Sequence, residues 1–257
     1  MGKDIFMKSV LITGATRNSG FAIAEKFASE SYAVFITSRR EEDASAAAEK
    51  IRSKYNVPCY GIGYDIADID KTEEVVTFVR EHGYILDTLV LCAAAQGLNQ
   101  DPLTVNINDW ADVIRANVIG NFNLARTVAR DMVGADNKGT IVFIGSITYR
   151  DCNVLRSSYN ASKGAILSLT KSLAVDLGQY GIRVNCLLPG PIYTTRYDAL
   201  DEETRRKRNE LVPIGRVSTA SDIANGVWFL ASDNSGNATG TGLIIDGGVD
   251  SINSGRY

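Results

Sequence analysis

The chain has 257 residues, of which 45% are hydrophobic and 22% charged, with a formal net charge of −3. That length suits one α/β domain with a sizeable core, and the charge argues against nucleic acid or an anionic membrane surface as partner. Met1–Lys8 has no basic patch leading into an apolar run, so no signal peptide is expected, and the apolar stretch Leu89–Ala95 is too short to span a bilayer. Cys59, Cys92, Cys152 and Cys186 form no CxxC pair, and His82 is the single histidine. Neither a metal site nor a disulfide is therefore expected, and free thiols fit a reducing, cytoplasmic compartment.

Apolar runs rich in β-branched residues alternate with helical patterns along the whole chain. Ser9–Ile12 reads as a first strand, and Phe21, Ala24, Phe27 and Ala28 then share a helix face. Ala33–Thr37 is a second strand, Ala44–Ala48 a helix-forming stretch, and Cys59–Gly63 a third strand. Val75, Val76 and Val79 mark a helix before the strand Thr88–Cys92, and Trp110, Val113, Ile114 and Val118 mark another before Thr140–Ile144. Ile166, Leu169, Leu173 and Leu177 line a long helix, followed by strands at Arg183–Leu188 and Gly242–Ile245. This alternation predicts a single doubly wound Rossmann-type α/β domain, with a seven-stranded parallel sheet and helices on both faces. Two long connections, 146–158 and 190–214, leave carboxyl ends of strands, where open sheets bind ligands, so 190–214 reads as a substrate lid. Its charged stretch Asp201–Glu210 spaces Glu202–Arg206 and Glu203–Lys207 for i,i+4 pairs, as a solvated helix face does.

The first strand runs into Thr13-Gly14-Ala15-Thr16-Arg17-Asn18-Ser19-Gly20 and then a helix. Glycines at such a turn let backbone approach a pyrophosphate, and the helix N-terminus offers free N–H groups. Gly14, Thr16, Arg17, Asn18, Ser19 and Gly20 are the candidate contacts. An acid at the end of the second strand would hold the ribose hydroxyls of NAD, but Ser38 and Arg39 stand there. With Arg17, Arg39 suits a 2′-phosphate and favours NADP(H), with NAD(H) kept open because Arg39 and Arg40 could be a plain surface pair. Asp65 and Ile66 follow the third strand, where the carboxylate could take the adenine amino group or simply cap its loop.

Tyr159-Asn160-Ala161-Ser162-Lys163 opens the long helix. Four helical residues rotate a side chain by about 40° and raise it about 6 Å, so Tyr159 and Lys163 share a face. An ammonium one turn away favours a phenolate and suits Tyr159 to general acid–base work. Ser146 lies thirteen residues upstream at a strand end, and Asn117 lies in Arg115–Gly120 on the preceding helix.

Together with the turn, Pro189-Gly190, Pro213-Ile214-Gly215-Arg216, Asp222-Ile223-Ala224 and Asp246-Gly247-Gly248, these residues make the chain resemble the short-chain dehydrogenase/reductase family from Val10 to Gly248, in the branch of 3-oxoacyl-carrier-protein reductases. The resemblance implies an enzyme that interconverts a ketone and a secondary alcohol by hydride transfer. Tyr159 would be the proton donor, Ser146 would polarise the carbonyl, and Lys163 would hold the nicotinamide ribose. Asn117 would hold a helix irregularity and a proton-relaying water. Ala93 and Ala94 would line the cofactor cleft, with Pro189, Gly190, Ile192 and Thr194 beside the carboxamide and pyrophosphate. A homotetramer or homodimer is implied, with a tail from Val249 to Tyr257 that could cross to a neighbour.

Two departures stand out. Asn18 replaces a family glycine, and Leu91-Cys92-Ala93-Ala94 replaces Asn-Asn-Ala-Gly. Ala95, Gln96, Thr148, Arg150, Arg156, Tyr193, Arg196 and Tyr197 are candidates for the pocket of a small-molecule substrate. A non-catalytic dinucleotide sensor and an enoyl reductase stay as alternatives. The enoyl branch usually spaces its Tyr and Lys further apart.

Overall fold

The computed structural model describes residues 7–252, apart from the side chain of Arg196. The part of the tail beyond Ile252, and any reach of it toward a neighbour, lies outside the described residues.

Seven parallel strands form one sheet in the order β3-β2-β1-β4-β5-β6-β7. They are β1 (Ser9–Thr13), β2 (Ala33–Ser38), β3 (Cys59–Gly63), β4 (Thr88–Leu91), β5 (Thr140–Ile144), β6 (Arg183–Pro189) and β7 (Gly242–Ile245). All seven predicted strands are present. β1, β2 and β6 each run one residue further than predicted, while β4 stops one residue earlier, where the Cys92 N–H goes to the Thr13 hydroxyl. Successive strand residues point to opposite faces, so Leu11, Phe35, Leu89 and Ile141 enter one core layer and Val10, Ile12, Val34, Ile36, Val90 and Val142 the other.

Helices α1 (Asn18–Ser29), α2 (Glu41–Tyr55) and α9 (Ala220–Ala231) close the second layer through Ile23, Phe27, Ala44 and Ile223. The alanines of α2 let it ride close to the sheet: a Cβ on Gly61 would lie 2.4 Å from the Ala44 carbonyl carbon. Helices α3 (Thr72–Glu81), α5 (Asn121–Gly134) and α6 (Ser157–Gly178) close the first layer through Val75, Val79, Leu124 and Ile166.

The pattern predicted from Trp110 to Val118 is not one regular helix. α4 (Ile107–Ile114) passes into a π-helical turn at Arg115–Gly120 before α5 begins. The 190–214 connection carries α7 (Thr195–Asp198) and α8 (Glu202–Glu210). Asp201 lies outside α8 as its N-cap, accepting from the Thr204 N–H at 2.7 Å. Lys207 pairs with Glu203 as predicted, but Arg206 turns to Glu210 at 2.6 Å instead of Glu202.

The start of α9 bears on acid stability. Thr219 and Asp222 form a capping box, and Arg216 donates to the same carboxylate at 2.6 Å. The Arg216 guanidinium holds the Asp222 carboxyl well below the usual carboxylate range. A depressed folded-state pKa gives stability that is present above the unfolded value and lost as pH falls below it. Replacing Asp222 with Asn should cost about 1–2 kcal/mol at neutral pH. In chemical denaturation the gap between wild type and variant should shrink below about pH 4.

Candidate active site

The cleft lies at the carboxyl ends of β1, β4, β5 and β6, where the strand order reverses. The turn after β1 forms its floor. Gly14 has φ +66, and a Cβ on it would lie 3.1 Å from the Ala93 Cα; a Cβ on Gly20 would lie 2.5 Å from the Gly14 carbonyl oxygen. These glycines keep backbone free of side chains beside the start of α1. Arg17, in the N-cap position, makes no side-chain cap, so the helix presents uncapped N–H groups to the cleft. Asn18, at φ +48, adopts the left-handed backbone that a glycine would supply. Its Oδ1 also accepts from the Thr195 N–H at 3.4 Å, joining the turn to the lid. Thr16 and Ser19 are half-buried on the same turn.

Thr13 was not singled out in the sequence, yet it organises this floor. Its hydroxyl oxygen accepts from the Cys92 and Ala93 N–H groups at 3.0 and 2.9 Å. Backbone donors thus fasten the altered segment after β4 without asparagine side chains, while Leu91 is buried in the sheet core. Burial pushes the Cys92 thiol up to about 11, against the pull of the Lys163 ammonium.

At the adenosine end, Arg40 is taken by Asp43 at 2.6 Å. Arg17 and Arg39 are exposed and have no ion-pair partner among the described residues, and Ser38 is half-buried beside them. The Asp65 Oδ1 accepts from the Ala67 N–H at 3.0 Å, the loop-capping arrangement, on an exposed residue. The Ile66 side chain is buried in the core, so only its backbone can serve the cleft.

The π-helical turn sets Asn117. Its Oδ1 accepts from the Ala95 N–H at 2.7 Å, while Nδ2 donates to the Ala95 carbonyl at 2.9 Å and to the Ser162 Oγ at 3.0 Å. Ser162 in turn donates to the Tyr159 carbonyl at 2.7 Å. Asn121, four residues on, donates to the Asn117 carbonyl at 2.9 Å. Asn121 and Ser162 were missed in the sequence, although two asparagines four apart in an apolar helix are a readable signal. The widened turn also needs Gly120, where a Cβ would lie 1.9 Å from the Ile66 carbonyl oxygen. Gly120→Ala should therefore cost about 3 kcal/mol or more in denaturant unfolding. A loss under about 1 kcal/mol would mean that the turn relaxes freely.

Tyr159 is half-buried on the first turn of α6, with the Lys163 Nζ 5.5 Å from its ring centroid. Lys163 is 4% exposed, and its ammonium donates to the Ile144 carbonyl at 2.7 Å. That bond pins it two residues before Ser146 and leaves its other donors free. The Ser146 Oγ accepts from the Thr148 N–H at 3.2 Å, so the hydroxyl proton is available to an incoming acceptor. Asn117, Ser146, Tyr159 and Lys163 are thus gathered around one end of the sheet.

Across the cleft, the Gly190 N–H donates to the Ile245 carbonyl at 3.0 Å, and a Cβ on Gly190 would lie 2.5 Å from the Asp246 Cβ. Pro189 ends β6, Ile192 bridges to Ser218, and Thr194 occupies the N-cap position of α7. Of the candidate pocket residues, Arg150 is drawn away to Asp250 at 3.2 Å. Tyr197 is buried against Val212 and Val217 and so packs the lid, while Tyr193 stays exposed with its ring 5.0 Å away. A cavity of about 550 Å³ between α6 and the two flanking loops is lined by Thr148, Cys152, Arg156 and Asn160, among others. Among the described residues no cluster of metal-ligating side chains occurs, and no helix is long and apolar enough to cross a membrane.

A family model described as enoyl-(acyl carrier protein) reductase matches residues 14–250. A 3-oxoacyl-(acyl-carrier-protein) reductase of Aquifex aeolicus is 34% identical, covering 94% of this chain and 97% of its own. A short-chain reductase protein of Streptomyces niveus is 35% identical, covering 93% of this chain and 92% of its own. Among solved structures, a variant of actinorhodin polyketide ketoreductase with NADPH superposes with a TM-score of 0.89 at 27% identity, over 96% of this chain and 98% of that one. A gluconate 5-dehydrogenase from Burkholderia cenocepacia, in complex with NADP and tartrate, gives a TM-score of 0.87 at 30% identity, over 96% of both chains. The chain belongs to the short-chain dehydrogenase/reductase family, oxidoreductases acting between CH–OH and C=O groups.

Proposed function

We propose that this protein is an NADP(H)-dependent reductase of small-molecule ketones, with Tyr159 as the proton donor. The observation that carries the proposal is Lys163, held to the Ile144 carbonyl and one turn from Tyr159, at the strand end that bears Ser146. The glycine floor, the uncapped start of α1 and the exposed Arg17 and Arg39, without an ion-pair partner among the described residues, fit a dinucleotide with a 2′-phosphate. Lys163 would face the nicotinamide ribose. When bound, the nicotinamide supplies the hydride.

Ser146, oriented by the Thr148 N–H, donates to the substrate carbonyl oxygen and draws charge onto it. Tyr159 then gives its hydroxyl proton to that oxygen, and the nearby ammonium stabilises the phenolate left behind. Asn117 keeps the loop over the cleft in register with α6 through Ala95 and Ser162. A protein of this kind would work in the cytoplasm as a homotetramer or homodimer. The four free thiols and the exposed apolar side chains Phe122, Val175 and Phe229 support that reading.

Enoyl reduction is the second reading, favoured by the description of the matching family model. A panel of 3-oxo esters, cyclic ketones, polyhydroxy-ketones and enoyl thioesters, each with NADPH and NADH, separates the two. NADPH oxidation on keto but not enoyl substrates is the expected result, and the reverse pattern overturns the proposal.

A further inference from the structure

Arg156 occupies the N-cap position of α6, yet its side chain makes no capping bond. Caps favour Ser, Thr, Asp or Asn, and a cation at a helix N-terminus opposes the helix dipole. No acidic residue in the first turn of α6 offsets it. The residue before it, Leu155, has φ +59, a conformation that costs a non-glycine residue about 1–2 kcal/mol. The Gln100 N–H holds that turn by donating to the Leu155 carbonyl at 2.9 Å. Two local terms therefore run against stability where the chain enters the helix of Tyr159, and such conflicts concentrate at functional sites.

In exchange, the guanidinium is fixed in one place. Its Cζ lies 5.2 Å from the Tyr159 ring centroid. Nη2 donates to the Gln96 carbonyl at 2.5 Å and to the Gln96 Oε1 at 3.0 Å, and Nη1 donates to the Asn99 Oδ1 at 3.4 Å. Nε is buried with no hydrogen-bond acceptor, which leaves the electron-rich ring as its electrostatic partner. Asn117 grips Ala95 and Arg156 grips Gln96, so the loop over the cleft is tied at adjacent residues to the helix that carries the proton donor.

We propose that Arg156 is a positioning residue for Tyr159: it fixes the ring against the loop at Gln96 and supplies a second cation beside the forming phenolate. The inference rests on the reading of Tyr159 as proton donor. In the step, hydride reaches the carbonyl carbon, the Tyr159 O–H bond breaks as the alcohol O–H forms, and the phenolate retains the bonding pair. That new negative charge forms on a ring whose centroid lies 5.2 Å from the Arg156 Cζ, one turn before, and 5.5 Å from the Lys163 Nζ, one turn after.

The test uses the full-length enzyme, NADPH and a ketone turned over in the panel. Arg156→Met should lower kcat about tenfold, leave the KM for NADPH within about twofold, and raise the solvent deuterium isotope effect as proton transfer becomes limiting. Arg156→Lys, which restores charge without the fork to Gln96, should recover roughly a third of kcat. Arg156→Gln serves if the Met variant does not fold. Wild-type kcat in the neutral variants overturns the inference. So does equal impairment of the Lys and neutral variants with an unchanged isotope effect. Tyr159→Phe, run alongside, separates the layers: if it keeps full activity, the proton-donor reading fails; if it is inactive while Arg156→Met is unaffected, only the role of Arg156 fails.

Discussion

Tyr159→Phe should lose about a thousandfold or more of kcat on any ketone the enzyme reduces, with NADPH binding unchanged. The substitution removes one oxygen from a ring that keeps both its cationic neighbours, Lys163 and Arg156, so the geometry of the cleft should survive. What disappears is the proton that the proposed mechanism transfers to the substrate oxygen, since the Ser146 hydroxyl would donate a hydrogen bond there but would be a poor acid. Fluorescence titration with NADPH measures the binding half, and single-turnover oxidation of NADPH measures the chemical half. Retained turnover would return the protein to the class of enzymes whose hydride transfer needs no tyrosine. Loss of both turnover and binding would show that the phenol holds cofactor, and the assignment of a proton-donor role would fall. A sensor without chemistry predicts a third pattern: tight NADPH binding in wild type and variant alike, and no turnover in either.

The sheet was legible because parallel strands buried on both faces must be apolar along their length, as Val10–Ile12 and Val34–Ile36 are. The four residues around the reacting end were legible as a pattern, Tyr159 and Lys163 by helical spacing and Ser146 and Asn117 by resemblance. Of their supports, the helix irregularity at Asn117 was implied by the resemblance, although the periodicity itself runs through the π-helical turn without a break and the close approach of Gly120 to the Ile66 carbonyl is long-range. The other supports were not legible. Thr13 read only as the opening residue of the turn, and its two bonds to Cys92 and Ala93 cross seventy-nine and eighty positions of sequence. Arg156 read as a candidate for the substrate pocket, since nothing local announces that Leu155 turns left-handed or that the guanidinium packs on Tyr159. Arg150, its near-twin in the sequence, goes instead to Asp250, a partner one hundred residues away. Local periodicity reports which face is buried; it carries no information on which distant backbone group will complete a polar side chain.

Cofactor choice is the other large effect. In the double variant Arg17→Ala with Arg39→Ala, the KM for NADPH should rise about a hundredfold, about tenfold for each charge-assisted contact removed, while the KM for NADH moves by no more than about threefold. The asymmetry follows from placement. Arg40 is already occupied by Asp43, so the cation available at the end of β2 is Arg39, and Arg17 stands in the turn after β1, the strand paired with β2. Both side chains are exposed in the cleft, so wild-type KM for NADPH should also climb with ionic strength in a way that KM for NADH does not. Ser38 permits the converse experiment. Ser38→Asp puts a carboxylate where it would accept hydrogen bonds from the ribose hydroxyls and repel a 2′-phosphate, so the triple variant should prefer NADH outright. If the wild-type enzyme already prefers NADH, or if the double variant handles both cofactors as wild type does, the two guanidinium groups are ordinary surface charges and the 2′-phosphate has no seat in this cleft.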